Sequence, residues 1–239
     1  FMKSILGISA FYHDSAAAII IDGKIIAAAQ EERFTRKKHD FAFPYNAIQF
    51  CLDHQNISGK DLDYVVFFEK PFLKFDRLLR TSLQGFPRSH QLFVQSMKTW
   101  LQDKLWVKSL IARSLAIDPE KVLFSEHHLS HAANAFLLSP FADAAILTAD
   151  GRGEEETCTF CVGHENRIEK LHSVMLPHSI GLLYGVITEF LGFRPHSDEW
   201  KVMALASYGK VKGNKYRSLV RSLIELYADG SFEMDLSYF

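Results

Sequence analysis

Alternating and continuous apolar runs divide residues 1–70 into strands and one helix. Three β-prone runs, "SILGISA", "AAAIII" and "KIIAAAQEE", follow one another, and the Asp-Gly pair before the third predicts a tight hairpin. Residues 43–56 place Ala47, Ile48, Cys51 and Leu52 on one stripe, which predicts an amphipathic helix. "LDYVVFFE" is nearly continuously apolar and predicts a buried parallel strand.

Residues 71–117 carry helical spacing and predict a mostly helical insertion. Its second half forms one apolar stripe, made of Phe93, Met97, Trp100 and Leu101. Two interpretations stay open for this insertion. It is a lid or partner surface, or its helices simply cover a sheet, and the second is favoured.

The strand pattern of the N-terminus recurs later in the chain. "KVLFSE" predicts a strand that leads into the histidine-rich "SEHHLSHAANAF" helix, and residues 144–171 then repeat the three-stranded pattern of residues 5–29. This duplication predicts an α/β fold of the actin-like ATPase (ribonuclease H-like) class. We expect one half-domain at residues 1–141, including the insertion, and a second at 142–239, incomplete because the chain ends in mid-pattern.

The last hundred residues predict two helices and a closing turn and strand. "HSIGLLYGVITEFLGF" has an N-cap at Ser179, a stop at Gly192 and an apolar stripe formed by Leu182, Leu183, Val186, Ile187 and Phe190. "KYRSLVRSLIELY" predicts a further amphipathic helix, and "DGSFEMDLSYF" a turn and strand.

Composition excludes several classes of protein. Of the 239 residues 48% are hydrophobic, and the net charge of −1 gives no basic field for nucleic acid. No apolar run approaches the ~18 residues of a membrane span. The three cysteines include a Cys158-x-x-Cys161 pair, which we interpret as structural because it lies in a strand-like stretch without a turn. We therefore expect a cytoplasmic protein without nucleic-acid or membrane partners.

The histidine-rich segment is the first candidate for chemistry. His127 and His131 are four residues apart, so they share one helix face and can hold one metal ion, whereas His128 lies ~100° round the helix. Asp150 ends an apolar strand at a turn and adds a carboxylate. A divalent iron, manganese or zinc ion fits this donor set. The alternative is a capped helix whose first turn happens to be polar.

Three other segments carry candidate residues. His13 in "HDSAA" is a candidate proton donor or shuttle, although a locally hydrogen-bonded turn is the alternative. Arg36 and Lys38 belong to the basic run "EERFTRKKHD", which is either a phosphate or acyl-phosphate grip or a solvated loop. Lys201 in "EWKVMALASYG" precedes small residues that suit a loop beside a nucleotide, with a purely structural segment as the alternative.

Taken together, these motifs resemble those of the NodU/CmcH/TobZ carbamoyltransferases. The resemblance rests on "ISAFYHDSAAAIIIDGKIIAAAQEERFTRKKHD", "SEHHLSHAANAF", "LTADGRGE", "SIGLLYGVITEFLGF" and "EWKVMALASYG", which fall in the family's order over almost the whole chain. More distantly, the HxxxH resembles the Kae1/TsaD proteins of tRNA threonylcarbamoyl modification. Ala204 stands where the family often has glycine.

The resemblance implies a Kae1-like domain that transfers a carbamoyl group to a hydroxyl of a small acceptor. The donor is carbamoyladenylate, made from carbamoyl phosphate and ATP by a C-terminal YrdC-like domain. It implies a metal, with iron favoured, on His127, His131 and Asp150, and a further aspartate later in the family's chain. His13 and Lys38 match positions near the reacting group, and Arg36 and Lys201 are expected at the nucleotide. Since the last aspartate and the YrdC-like domain lie beyond Phe239, we expect an inactive fragment.

Two further functions compete with O-carbamoyl transfer. The first is a non-catalytic module of the actin-like ATPase class that binds nucleotide or partner proteins, with residues 71–117 as its contact surface. The second is a Kae1-like subunit of tRNA modification, which the long "HDSAA" to "KKHD" block disfavours. Expected partners of the carbamoyltransferase are the hydroxyl acceptor, the YrdC-like domain and a second copy in a homodimer.

Overall fold

The computed structural model describes residues 3–102, 104–210 and 216–238. The chain divides into two compact units, the first ending at His127 and the second beginning at His128. The division falls at the first residue of one helix, His127–Phe136. The half-domain boundary expected at residues 141/142 stays a prediction.

A mixed sheet forms the centre of the first unit. Its five strands are β1 (Ser4–Ser9), β2 (Ala16–Ile21), β3 (Lys24–Gln30), β4 (Tyr64–Phe67) and β5 (Val122–Phe124). They lie in the order β3-β2-β1-β4-β5. The first three strands are antiparallel, while β4 pairs in parallel with both β1 and β5. The predicted hairpin is confirmed, because Asp22 and Gly23 both have positive φ, 48° and 78°.

Five α-helices accompany this sheet in the part of the chain that the structure describes. They are α1 (Glu32–Thr35), α2 (Tyr45–Asp53), α3 (Pro71–Gln84), α4 (His90–Gln102) and α5 (Val107–Leu115). The predicted stripe of α2 is confirmed, since its four residues are buried in the main core. Helix α5 also covers the sheet, burying Val107, Ile111, Ala112 and Leu115 in the same core.

The apolar stripe predicted for α4 is only partly right. Trp100 is buried and its ring centroid lies 5.8 Å from that of Phe75 in α3. Leu101, however, is 55% exposed. Since successive helical residues are ~100° apart, centring the contact face on Trp100 turns Leu101 towards solvent.

The second unit opens with the same antiparallel pattern as the first. After α6 (His127–Phe136), strands β6 (Asp143–Ala149), β7 (Glu156–His164) and β8 (Arg167–Met175) pair in that order. The rest of the unit consists of α7 (Ile180–Phe190), α8 (Glu199–Ala206), α9 (Tyr216–Arg221) and a hairpin of β9 (Ile224–Leu226) with β10 (Phe232–Met234). The predicted α/β fold with a repeated three-stranded antiparallel pattern is confirmed, and its assignment to the actin-like ATPase class stays a prediction.

The C-terminal third departs from the sequence predictions in three places. The segment containing Lys201, expected as a loop, is the helix α8. The helix predicted over residues 215–227 ends at Arg221 within the part that the structure describes, because Ile224 and Leu226 pair with β10 instead. In α7 the cap at Ser179 is confirmed, but Phe190 of the predicted stripe is 87% exposed.

The two cysteines of the Cys-x-x-Cys pair occupy different cores. Cys158 packs with Val174 and Phe232, whereas Cys161 packs with Phe136 of α6. Both are buried and neither forms a disulfide, and burial raises the pKa of the Cys158 thiol. The structural interpretation of this pair therefore agrees with its surroundings.

No helix among the described residues is long and apolar enough to cross a membrane.

His128 anchors helix α6 to the sheet of the second unit. Its imidazole is buried, with Nδ1 2.6 Å from Thr148 Oγ1 and Nε2 3.0 Å from the Glu156 carbonyl oxygen. Because a carbonyl can only accept, Nε2 carries the proton and Nδ1 accepts from Thr148. Thr148 in turn lies 2.6 Å from the hydroxyl of Thr159. This chain of hydrogen bonds sets the rotation of α6 about its axis.

Replacing Thr148 by valine should break this network at its centre. The substitution leaves His128 Nδ1 and the Thr159 hydroxyl without their shared partner, so the free energy of unfolding should fall by about 1–3 kcal/mol. Urea denaturation checks this.

The control is Thr188→Val, which is equally buried but bonds the Tyr184 carbonyl of its own helix. That carbonyl keeps a backbone partner, so the free energy of unfolding should fall less in the control than in Thr148→Val. An equal loss in both variants would contradict the anchoring role of Thr148.

Candidate functional site

The structure brings the three predicted metal ligands together. His127 and His131 lie one turn apart on α6, and His131 Nε2 is 3.4 Å from Asp150 Oδ2. One nitrogen of each histidine and one carboxylate oxygen of Asp150 all lie within 4.8 Å of one another. His127 is buried, whereas the side chains of His131 and Asp150 are partly open to solvent.

The carboxylate of Asp150 is oriented by its own turn. Asp150 follows β6, and its backbone N–H donates to the Thr157 carbonyl at 2.9 Å. Its Oδ1 accepts the Gly151 N–H at 2.6 Å, which directs Oδ2 at His131. The turn therefore holds the carboxylate in place without a ligand.

The N-terminal end of helix α7 packs against the turn that contains Asp150. The Ser179 hydroxyl, which caps α7 by accepting the Leu182 N–H at 3.0 Å, donates to the Gly151 carbonyl at 2.7 Å. Gly181 lies so close that an added Cβ would come within 2.5 Å of Gly151 N and 2.6 Å of the Asp150 carbonyl. Only a residue without a side chain fits here, which the sequence did not indicate.

The donor set fits a divalent transition metal. Two imidazole nitrogens and one carboxylate oxygen suit iron, manganese and zinc, and such a set leaves coordination positions for substrate oxygens. His131 and Asp150 are accessible enough for an ion to enter.

A second polar cluster surrounds His13 in the first unit. Asp14 Oδ2 lies 2.9 Å from His13 Nδ1, and Asp14 Oδ1 lies 2.9 Å from Nδ1 of His39. Burial acts to raise the pKa of Asp14, but the hydrogen bonds from His39 and His13 outweigh it and lower that pKa. The ionised carboxylate of Asp14 accepts a hydrogen bond from the Nδ1–H of His13. Nε2 of His13 is therefore the nitrogen that is left to accept a proton.

Asp14, Glu32 and His39 also have one potential ligand atom each within 4.8 Å of one another. Hydrogen bonds account for this proximity, because Glu32 accepts the His39 backbone N–H at 3.0 Å and Asp14 binds the His39 ring. Arg33 also pairs with Glu32 at 2.9 Å. We therefore interpret this cluster as a support for the loop rather than as a metal centre.

The predicted basic residues occupy two different settings. Arg36 ends α1 in the left-handed conformation, φ 59°, and both Arg36 and Lys38 have exposed side chains in the loop before His39. Lys201 lies on α8, where its Nζ pairs with Asp198 at 2.9 Å and stands 5.5 Å from the Trp200 ring centroid. The hydrogen bond from Lys201 lowers the pKa of Asp198. Lys201 is thus bound to its own helix and the turn before it.

Sequence reasoning missed a buried ion pair beside His127. Glu69 follows β4, and its Oε2 lies 2.6 Å from Lys74 Nζ and 3.9 Å from His127 Nδ1. The available signal was a glutamate followed five residues later by a lysine in "FFEKPFLK", where an apolar strand gives way to a helix.

Comparison with known proteins defines the family. The model of the carbamoyltransferase N-terminus matches residues 4–239, so this chain belongs to that family. The protein sll1178 of Synechocystis sp. is 48% identical over 246 residues, covering 100% of this chain and 40% of that protein. Nodulation protein NolNO of Sinorhizobium fredii is 34% identical over 228 residues, covering 95% and 32%. The chain thus spans less than half the length of these relatives.

Among solved structures, YeaZ from Pseudomonas aeruginosa aligns with a TM-score of 0.39 at 14% identity, over 74% of this chain and 68% of that one.

Substituting Gly181 by alanine should disturb the candidate metal centre, although Gly181 is not one of its ligands. The added methyl must push the backbone of Gly151 and Asp150 aside, which moves the carboxylate away from His131. We expect metal affinity to fall by about 10- to 100-fold, as for other changes to groups that support ligands. Competition with a chromophoric chelator measures the affinity.

Gly185→Ala is the matched control on the same helix, because its added Cβ would have no neighbour closer than 3.9 Å. The control should bind metal like the wild type. Unchanged affinity in Gly181→Ala would show that the turn of Asp150 does not depend on this close contact.

Proposed function

We propose that this chain carries the transfer site of an O-carbamoyltransferase, which moves a carbamoyl group from carbamoyladenylate to a hydroxyl of a small molecule. The observation that carries the proposal is the convergence of His127, His131 and Asp150 in a member of the carbamoyltransferase N-terminus family. The proposal includes a further domain that makes the adenylate from carbamoyl phosphate and ATP, and the greater length of the relatives is compatible with one. That domain is expected to be YrdC-like.

His127, His131 and Asp150 are the residues that would hold a divalent metal, with iron favoured over manganese and zinc. When bound, the ion supplies positive charge that stabilises the phosphate oxygens of the departing adenylate. Asp150 suits this role because its turn already directs Oδ2 at His131.

His13 is the proposed base. The acceptor oxygen forms a bond to the carbamoyl carbon, and the bond between that carbon and the phosphate oxygen breaks, so AMP leaves with the electron pair. The proton of the acceptor hydroxyl passes to Nε2 of His13, because Asp14 occupies Nδ1. Asp14 also stabilises the imidazolium that results.

Arg36 and Lys38 are the proposed phosphate contacts of the first unit. Both side chains are exposed, and they stand in the same loop as His39, which Asp14 holds. Lys201 would contact a phosphate oxygen only after giving up its ion pair with Asp198.

The three cysteines are unpaired, which suits a reducing cytoplasm. A homodimer stays a prediction.

The test uses the product of the complete reading frame that contains this chain. It is incubated with ATP, carbamoyl phosphate and Fe²⁺, Mn²⁺ or Zn²⁺, and carbamoyladenylate and AMP are followed by mass spectrometry, with monosaccharides as hydroxyl probes. The wild type should make the adenylate and consume it. His131→Ala should make it but consume it about 100-fold or more slowly, because the charge at the leaving group is lost.

His164→Ala is the matched control, since His164 is also an exposed histidine paired with an aspartate, Asp143. It should behave like the wild type. The proposal fails if His131→Ala consumes the adenylate at the wild-type rate. It also fails if the wild type makes none with any of the three metals, and a binding module of the same fold class is then favoured.

A further inference from the structure

We propose that Glu69 and Lys74 form a positioning pair that holds His127 in the orientation a metal requires. This role rests on the proposed metal site. Glu69 lies between β4 and α3, Lys74 lies in the first turns of α3, and both belong to the first unit together with His127. Helix α3 was expected only as part of an insertion covering a sheet or meeting a partner.

Stability alone does not account for the buried Glu69–Lys74 ion pair. The side chains of Lys74 and Glu69 are only 13% and 8% exposed, so both charges have lost most of their water. Burying an ion pair often contributes no net stability compared with apolar residues of similar volume. The ammonium of Lys74 also lies near the N-terminal end of α3, where the helix dipole disfavours a cation.

The carboxylate of Glu69 is directed at His127. The same Oε2 that binds Lys74 at 2.6 Å lies 3.9 Å from His127 Nδ1. The ring of Phe68 stands 5.6 Å from the imidazole of His127 and limits its rotation. Histidine ligands commonly direct their second ring nitrogen at a carboxylate, which selects the tautomer and makes the ligand more basic. At 3.9 Å the two atoms are too far apart for a hydrogen bond, but Glu69 lies on the Nδ1 side of the ring, which leaves Nε2 as the nitrogen proposed for the metal.

Lys74 also reaches the segment of the proposed base. Its Nζ lies 5.5 Å from the ring centroid of Tyr12, and the rings of Tyr12 and His13 are 4.6 Å apart. One ammonium therefore contacts groups next to His13 and, through Glu69, next to His127. Lys74 holds the Glu69 carboxylate in place and neutralises it.

Three variants separate a positioning role from a merely structural one. Glu69→Gln removes the carboxylate but leaves a buried ammonium, and Lys74→Met does the reverse. The double variant Glu69→Gln/Lys74→Met removes both charges, so it should recover thermal stability lost by the single variants. It still lacks the carboxylate beside His127.

The measurement is the affinity for Zn²⁺ alone, by chelator competition, in the product of the complete reading frame. The relevant zinc is the ion whose binding is lost in His131→Ala. We expect Glu69→Gln and the double variant both to bind it about 10- to 100-fold more weakly than the wild type. Asp76→Asn breaks an exposed ion pair with Arg80 on the same helix and should bind zinc normally.

Recovery of both stability and zinc affinity in the double variant would overturn the positioning role and leave a structural ion pair. Unchanged affinity in Glu69→Gln would overturn it as well, with the metal site intact. Absence of any zinc that depends on His131 in the wild type would instead overturn the metal site, and the role of Glu69 with it.

Discussion

The hydrogen bonds of His128 set the orientation of helix α6, and the candidate metal centre depends on that orientation. The imidazole binds Thr148 of β6 on one nitrogen and the Glu156 carbonyl of β7 on the other. A helix held at one residue has every other residue placed at a known angle, because successive side chains are ~100° apart. His127 and His131 are thereby turned ~100° and ~60° to one side of His128, and the ring centroids of His128 and His131 lie 6.1 Å apart. The most buried histidine of the motif has a structural role, and its neighbours are the proposed metal ligands.

The same use of a carboxylate recurs in both polar clusters. Asp150 gives one oxygen to the Gly151 N–H and directs the other at His131. Asp14 gives one oxygen to His39 and the other to His13. The Gly151 N–H orients the carboxylate of Asp150, whereas the ring of His39 holds that of Asp14, and each carboxylate then contacts a candidate histidine. Polar groups arranged in advance need not reorganise during a reaction, which is where much of the catalytic advantage of enzymes arises.

Local patterns predicted the elements but not the contacts that support the site. The Asp22-Gly23 hairpin, the stripe of α2 and the cap at Ser179 follow from short-range rules of turns and helices. The spacing of His127 and His131 and the turn at Asp150 could likewise be predicted from the sequence. The Glu69–Lys74 pair, the bond of His128 to Thr148 and the close approach of Gly181 depend on residues brought together by folding. Leu101 was misplaced for a related reason, since Phe75 of another helix decides which face of α4 is covered.

The central claim is that His127, His131 and Asp150 hold one metal ion. Anomalous diffraction from crystals of the protein grown with Fe²⁺, Mn²⁺ or Zn²⁺ tests it most directly. The account predicts a single strong peak at bonding distance, about 2.0–2.2 Å, from a nitrogen of each histidine and an oxygen of Asp150. A metal bound elsewhere, or these three side chains without a peak at saturating metal, would contradict it.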